Sequence, residues 1–443
     1  MSPAPPQHPL VAVVGATGTG KSQLAVALAQ RHNGEILNGD ALQMYDGLPI
    51  TTNKLQLEER KGIPHHLLGC VELGEEPWTV KQFLKRATSI IEEIRSRGRL
   101  PIVVGGTHYY TQSLLFRDTL VEEGGSDDLS VDAQPEAWKL LDTNTEEMLK
   151  QLRKVDPEMA MRWHPSDQRK IQRSLEIWLK TGKKASELYK QQRVQSNDPE
   201  SDGWNRSAGL NGSEDSARAH LRYDSLIFWL HAPSDVLNLR LEERVDSMVS
   251  RGLLEEVAFM QSFLQDQEQQ GDSIDQSRGI WVAIGFKEFL PYLLDGSHRE
   301  ELRQKGIERT KIATRQYAKR QVQWIRLRLQ RAVNAADLAH NMFLLDATDF
   351  SLCSDAVDAK AQDITAAFIS GFALPKPDSL SDTAMKLLAS PEEEAKSARH
   401  CEACDKTLMF HSQWINHLKS KGHRASMRPK IDWKTLYPKN NGY

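Results

Sequence analysis

The chain contains no run of eighteen apolar residues, so no segment is expected to cross a membrane as a helix. Its first nine residues include four prolines, three of them in the first six, and no lysine or arginine. With such a start, neither a secretory signal nor a transit peptide is expected. Cysteine is scarce, with four in 443 residues, which excludes a disulfide-stapled fold and fits a reducing compartment. The cytoplasm is expected, with nucleus and mitochondria left open. Cys70 and Cys353 stand alone and read as reduced, structural thiols; Cys401 and Cys404 form a pair with another purpose. Net charge is only −3, so no global excess of either sign announces a partner. A monomer is expected.

The strongest positive feature is Gly15-Ala16-Thr17-Gly18-Thr19-Gly20-Lys21-Ser22. It follows the apolar run Leu10–Val14 and precedes the helix formers Gln23–Ala29. Strand, glycine loop and helix in that order make a phosphate-binding P-loop, the usual mark of a nucleotide-binding or ATP-binding protein. Glycines let successive backbone N–H groups converge on one anion, and the helix N-terminus adds partial positive charge. Lys21 supplies a mobile cation, and Ser22 can ligate Mg2+. A di- or triphosphate is expected here, and the motif alone does not say whose.

The rest of the chain organises around that loop. Ile36–Asn38, Pro101–Val104, Leu226–Leu230 and Met342–Leu345 read as further short buried strands separated by helices. Their pattern predicts an α/β fold with a doubly wound parallel sheet. One such helix is Val80–Arg97, with its apolar residues at helical spacing. Residues 1–120 and 221–370 form the expected P-loop core. A helical insertion is expected over 121–220, a linker over 371–398, and a zinc finger with a basic tail over 399–443. Hydrophilic loops are expected at 122–132, 197–219 and 265–277. Single long helices are expected at 235–261 and 299–332. The second of these carries eleven lysines and arginines between Arg299 and Arg331 against three glutamates, a local excess that points to a polyanion.

Three groups carry further chemistry. Asp40 ends the second strand, on the sheet edge where α/β proteins bind ligands. It suits a general base, a magnesium ligand or a cap for the chain that follows. Arg240 and Arg244 lie one helical turn apart and suit either a phosphate clamp or a solvated helix face. Cys401-x2-Cys404-x12-His417-x5-His423 offers two thiolates and two imidazoles at the spacing of a structural Zn2+ finger. Lys419, Lys421, Arg424, Arg428 and Lys430 around its exit favour nucleic-acid phosphate contact.

Taken with Asn38–Tyr45, Pro64–Gly69, Pro101–Tyr110, His164–Glu176, Ile284–Glu288 and Thr314–Gln321, these segments resemble the tRNA dimethylallyltransferase family, also called tRNA isopentenyltransferases. The likeness covers most of the chain, and the appended finger resembles the eukaryotic branch. The resemblance implies transfer of a dimethylallyl group from its diphosphate to N6 of the adenosine at tRNA position 37, 3′-adjacent to the anticodon. It implies that the P-loop cradles the leaving diphosphate with Mg2+. Asp40 matches the family's base, Thr19 a residue near the breaking bond, and Arg244 an arginine on the diphosphate, with Arg240 kept as the alternative. Contact with the anticodon stem-loop falls to Asp40, Ala41, Leu42 and Gln43, to Gln168, Arg169, Lys170, Ile171, Gln172 and Arg173, and to Arg315, Lys319 and Arg320. Ala41 departs from the serine common at that place in the family. A P-loop kinase explains the loop and Asp40 but leaves the finger and the basic helix unexplained. An RNA-binding finger protein with a vestigial loop sits badly with intact Lys21, Ser22 and Asp40.

Overall fold

The computed structural model of the protein describes residues 4–117, 141, 143–189, 221–295, 299–389, 396–404 and 406–427. The hydrophilic stretches 122–132 and 197–219 lie outside the described residues, as do Arg428 and Lys430. The described chain falls into two compact units. One takes its residues from Met1–Leu120 and Trp204–Ser390, the other from Val121–Gly203 and Pro391–Tyr443.

The first unit is built on a six-stranded parallel sheet. Its strands are β1 (Pro9–Gly15), β2 (Gly34–Asn38), β3 (His65–His66), β4 (Leu100–Val104), β5 (Asp224–His231) and β6 (Met342–Asp346), in the order β3-β2-β4-β1-β5-β6. The parallel, helix-covered sheet is the α/β architecture the apolar runs predicted. Leu10 to Val14 are fully buried because β1 lies between β4 and β5 with helices over both faces. Helix α1 (Lys21–Arg31) and the helix Phe350–Ile369 share one apolar cluster with that sheet. Helix α2 (Val80–Ser96) belongs to the other cluster, which reaches through Met260 and Phe289 to Leu338. Thr79 and Gln82 close its N-terminus with a reciprocal capping box.

Several local readings change. The helix expected over 235–261 is two, Ser234–Ser250 and Leu253–Gln270, divided at Gly252 with φ +108°. The second runs into the expected loop at 265–277, because Leu253, Val257, Met260 and Leu264 hold one face to the core while its glutamines face out. The basic helix is Glu300–Trp324, continued by one π turn and Gln330–Ala335. β3 has too short an apolar signature to read as a strand. Within the segment read as a linker, Asp382–Leu388 is helical with Ala384 buried, and Gln330 Nε2 donates to the Leu388 carbonyl at 2.7 Å. Cys70 is exposed and not a core thiol. Among the described residues no helix is long and apolar enough to cross a membrane.

The second unit joins insertion and finger. Helices Thr145–Val155, Pro157–Arg162 and Gln168–Thr181 pack around Met148, Leu152, Met159, Ile171 and Leu175. The finger has an antiparallel hairpin, Lys396–Cys401 with Lys406–Phe410, and a helix His411–Leu418. His164 Nε2 donates to the Thr407 carbonyl at 2.9 Å, and its Nδ1 accepts from the Ser166 hydroxyl at 2.7 Å. Those two bonds fix the tautomer and tie the turn before the Gln168 helix to the finger's second strand.

Candidate active site

The carboxyl ends of β1, β2 and β4 meet at one edge of the sheet. Gly15 leaves β1 with φ +152°, and a Cβ there would stand 2.5 Å from the Leu230 carbonyl oxygen. Only glycine can start the loop so close to β5. Thr19 Oγ1 and Lys21 Nζ both donate to the Ala16 carbonyl, at 2.8 and 2.7 Å. The loop thus holds its own lysine folded over its mouth. Gly18, Gly20 and Ser22 are partly exposed, whereas Thr19 is buried. Burial brings the Lys21 pKa down to about 8; the Asp40 charge raises it and that of Arg244 lowers it.

Asp40 enters the same crevice through a close backbone approach. A Cβ on Gly105 would stand 2.2 Å from the Gly39 carbonyl carbon, so the loops after β2 and β4 lie one against the other. Asn38 is buried and accepts the Asp40 N–H at 3.0 Å while donating to the Leu67 carbonyl at 2.8 Å. Thr107 Oγ1 accepts the Ala41 N–H at 3.0 Å. The Asp40 carboxylate has two roles to fill. Oδ1 accepts the Leu42 N–H at 3.0 Å and caps the following turn; Oδ2 faces Gly106. Ala41 and Leu42 pack against the core, and Gln43 Nε2 donates to the Thr52 and Asn53 carbonyls.

Residues remote in sequence complete the crevice. Arg244 Nη1 donates to Thr17 Oγ1 at 2.7 Å; burial lowers the guanidinium pKa to about 10, with the Asp40 charge opposing the shift. Arg240 turns elsewhere, donating to the Ala347 and Thr348 carbonyls beyond β6. The two arginines one turn apart therefore do different things, and Arg244 is the one beside the loop. Gln321 lies between Thr17 and Gly106, and Tyr317 beside Gly106. Burial and then the charge of Asp40 push the Tyr317 pKa up. His108 is buried beside Gly15, and burial followed by the nearby Lys21 charge lowers its pKa to about 3. Gln321, Tyr317 and His108 were given no role from sequence. They lie inside the Gly105–Tyr110 and Thr314–Gln321 segments, which was the available signal.

The expected RNA contacts divide by exposure. Gln168, Arg169 and Lys170 are exposed on the insertion, and Gln172 and Arg173 are half-buried. Ile171 is a correction: it is fully buried in the insertion core, on the opposite face of its helix, and cannot reach a ligand. Lys319 and Arg320 are exposed, while Arg315 pairs with Glu242 at 2.5 Å.

Cys401, Cys404, His417 and His423 bring one ligand atom each within 4.8 Å of all the others. Both thiol sulfurs lie 3.5 Å from His423 Nδ1. A tetrahedral Zn2+ with its usual bond lengths sets such an edge at about 3.6 Å. His417 Nε2 has no hydrogen-bond partner, as a metal ligand should not. The four residues fit structural zinc.

The chain matches the family model described as IPP transferase over residues 43–328 and that of isopentenyl transferase over 8–77. The zinc-finger of C2H2 type matches at 399–423. It is 38% identical to a tRNA dimethylallyltransferase of Schizosaccharomyces pombe, covering 95% of each chain. It is 35% identical to that of Homo sapiens over 95% of this chain and 86% of the relative. Among solved structures, it resembles a eukaryotic dimethylallyltransferase acting on tRNA, at 33% identity and a TM-score of 0.74 over 95% and 96% of the two chains.

Proposed function

The chain belongs to the IPP transferase family, whose relatives are tRNA dimethylallyltransferases, and from that premise we propose that it transfers a dimethylallyl group from dimethylallyl diphosphate to N6 of adenosine 37 in the tRNA anticodon loop. The observation that carries this reading is the crevice itself, where the Asp40 carboxylate lies within electrostatic reach of Lys21 and Arg244. The acceptor amine forms a bond to the allylic carbon as the carbon–oxygen bond breaks, and the electron pair leaves with the diphosphate. Loop N–H groups, Lys21 and Arg244 stabilise that growing charge. Asp40 takes the proton released by the amine. Thr19, buried and donating to the Ala16 carbonyl, shapes the loop around the leaving group. The Ser22 hydroxyl, a hard oxygen donor, suits a magnesium ion that would neutralise the diphosphate.

The acceptor adenosine leaves the anticodon stack to reach the donor, because a stacked amine cannot align with an allylic carbon. Ala41, Leu42 and Gln43 border its pocket. Exposed Gln168, Arg169 and Lys170, with Gln172, Arg173, Arg315, Lys319 and Arg320, hold the stem-loop by its phosphates. The finger's zinc is closed by four protein ligands and takes no part in chemistry. Incubating the protein with donor and unmodified tRNA, then separating nucleosides by mass spectrometry, tests the reading. N6-isopentenyladenosine is the expected product. Phosphoryl transfer from ATP without that product would put a P-loop kinase in its place.

A further inference from the structure

In a P-loop the backbone N–H groups are the phosphate ligands, so an N–H that is already bonded is lost to the anion. Thr17 is in that position. Its N–H donates to Gln321 Oε1 at 2.8 Å, and its hydroxyl accepts from Arg244 at 2.7 Å. The partner is 304 residues away in sequence and only 4% exposed, which makes the contact a fixed part of the site. The other end of the same amide donates to the Gly106 carbonyl at 3.0 Å. Room for it depends on glycine: a Cβ on Gly106 would stand 2.6 Å from Gln321 Nε2 and 2.8 Å from Asp40 Oδ2. Gln321 therefore sits between the phosphate cradle and the carboxylate.

Phosphates seated at the helix end of the loop still meet the N–H groups of Gly20, Lys21 and Ser22. A third phosphate would extend along the loop toward Thr17. There it would meet an amide oxygen, acceptor against acceptor. An alkyl group would meet a hydrogen bond already made, and would strand no polar atom by covering it.

We propose that Gln321 determines donor class: it shortens the anion hole to the length of a diphosphate and leaves the limb beside Gly106 and Asp40 to the uncharged part of the donor. This rests on the diphosphate-donor reading above and adds the residue that enforces it.

The test is calorimetric binding of magnesium pyrophosphate and magnesium tripolyphosphate to the full chain. Wild type should prefer pyrophosphate. Gln321→Met removes the amide at similar volume and should narrow that preference by about tenfold, chiefly by gaining affinity for tripolyphosphate. Gln321→Glu keeps an acceptor for the Thr17 N–H and should retain the preference. Gln321→Ala serves if the Met variant does not fold, judged by its thermal transition. An unchanged ratio in the folded Met or Ala variant overturns the inference. Loss of the preference in the Glu variant overturns it too, because the acceptor would then not be what matters. Tighter binding of tripolyphosphate by wild type is a separate outcome, and it removes the diphosphate-donor reading on which the inference stands.

Discussion

Two carboxylates mark the two ends of β2, and they live in opposite circumstances. Glu35, near its start, is 2% exposed and saturated: His66 lies at 2.6 Å, Arg97 at 2.8 Å and Arg99 at 3.1 Å. Burial alone would raise its pKa, but hydrogen bonds from Arg97 and His66 outweigh that and hold it below the usual carboxylate range. Asp40, just past the other end, spends one oxygen on the Leu42 N–H and turns the other to a crevice shared with Lys21. A carboxylate bound by two guanidinium groups and an imidazole has little proton affinity left to lend. One with an oxygen facing the crevice can accept a proton. The strand supplies the same residue chemistry at both ends; the neighbours decide that one holds structure and the other is available for reaction.

The sharpest way to break this contrast is to neutralise each carboxylate. Asp40→Asn should lower the single-turnover rate by about 10²–10⁴-fold with donor bound, while leaving donor affinity largely intact. Rapid quench with labelled dimethylallyl diphosphate measures it, and near-normal turnover would reduce Asp40 to its capping bond. Glu35→Gln should do the reverse. It should cost on the order of 2 kcal/mol of stability, since Arg97 and Arg99 retain access to water, with turnover per folded molecule unchanged. The sign of its pH dependence is fixed. A carboxylate depressed in the folded state stabilises above its unfolded value and loses that contribution as pH falls through the folded one. Wild type should lose stability more steeply than Glu35→Gln in acid denaturation below about pH 4.3.

Lys21 sharpens the comparison from the reactive side. Burial lowers its pKa to about 8, and Asp40 is the charge that raises it again. On the proposed reading the charged form binds the diphosphate, so kcat/KM for the donor should fall as pH rises through about 8 in wild type. In Asp40→Asn, with that charge gone, the fall in donor affinity should begin at lower pH. Titration of donor affinity by calorimetry checks both, and identical profiles would mean that the two groups do not share a crevice. The smallest effect should come from the finger. Removing zinc, or deleting the residues after Arg399, should raise the Michaelis constant for tRNA by about tenfold and flatten its salt dependence. The single-turnover rate at saturating tRNA should stay within a factor of two.

The bond between His164 and Thr407 refines what that last experiment reads. Insertion and finger share a compact unit, so a change in the finger acts on the same body as the exposed residues of the Gln168 helix. The expectation from sequence was a module tethered beyond a linker. That linker was expected over 371–398, yet Ala384, Leu387 and Leu388 are enough to seat a helical turn on the core there.

By itself the sequence determined whatever is written contiguously. Leu10–Val14, the glycine loop and the α1 start are neighbours in the chain, and their geometry follows from local propensity and burial. The finger's ligand spacing is likewise local enough to specify zinc. Tertiary structure alone decided the rest. Arg240 and Arg244 share a helix face pattern, and only the packing of that helix turns one to Thr17 and the other to Ala347 and Thr348. Ile171 follows the periodicity of its helix inward, out of reach of any RNA. Gln321 meets Thr17 across 304 residues. The physical reason is common to all three. A side chain's chemistry depends on which groups lie within about 3 Å of it, and for residues far apart in the chain that list exists only after the sheet and its covering helices have packed.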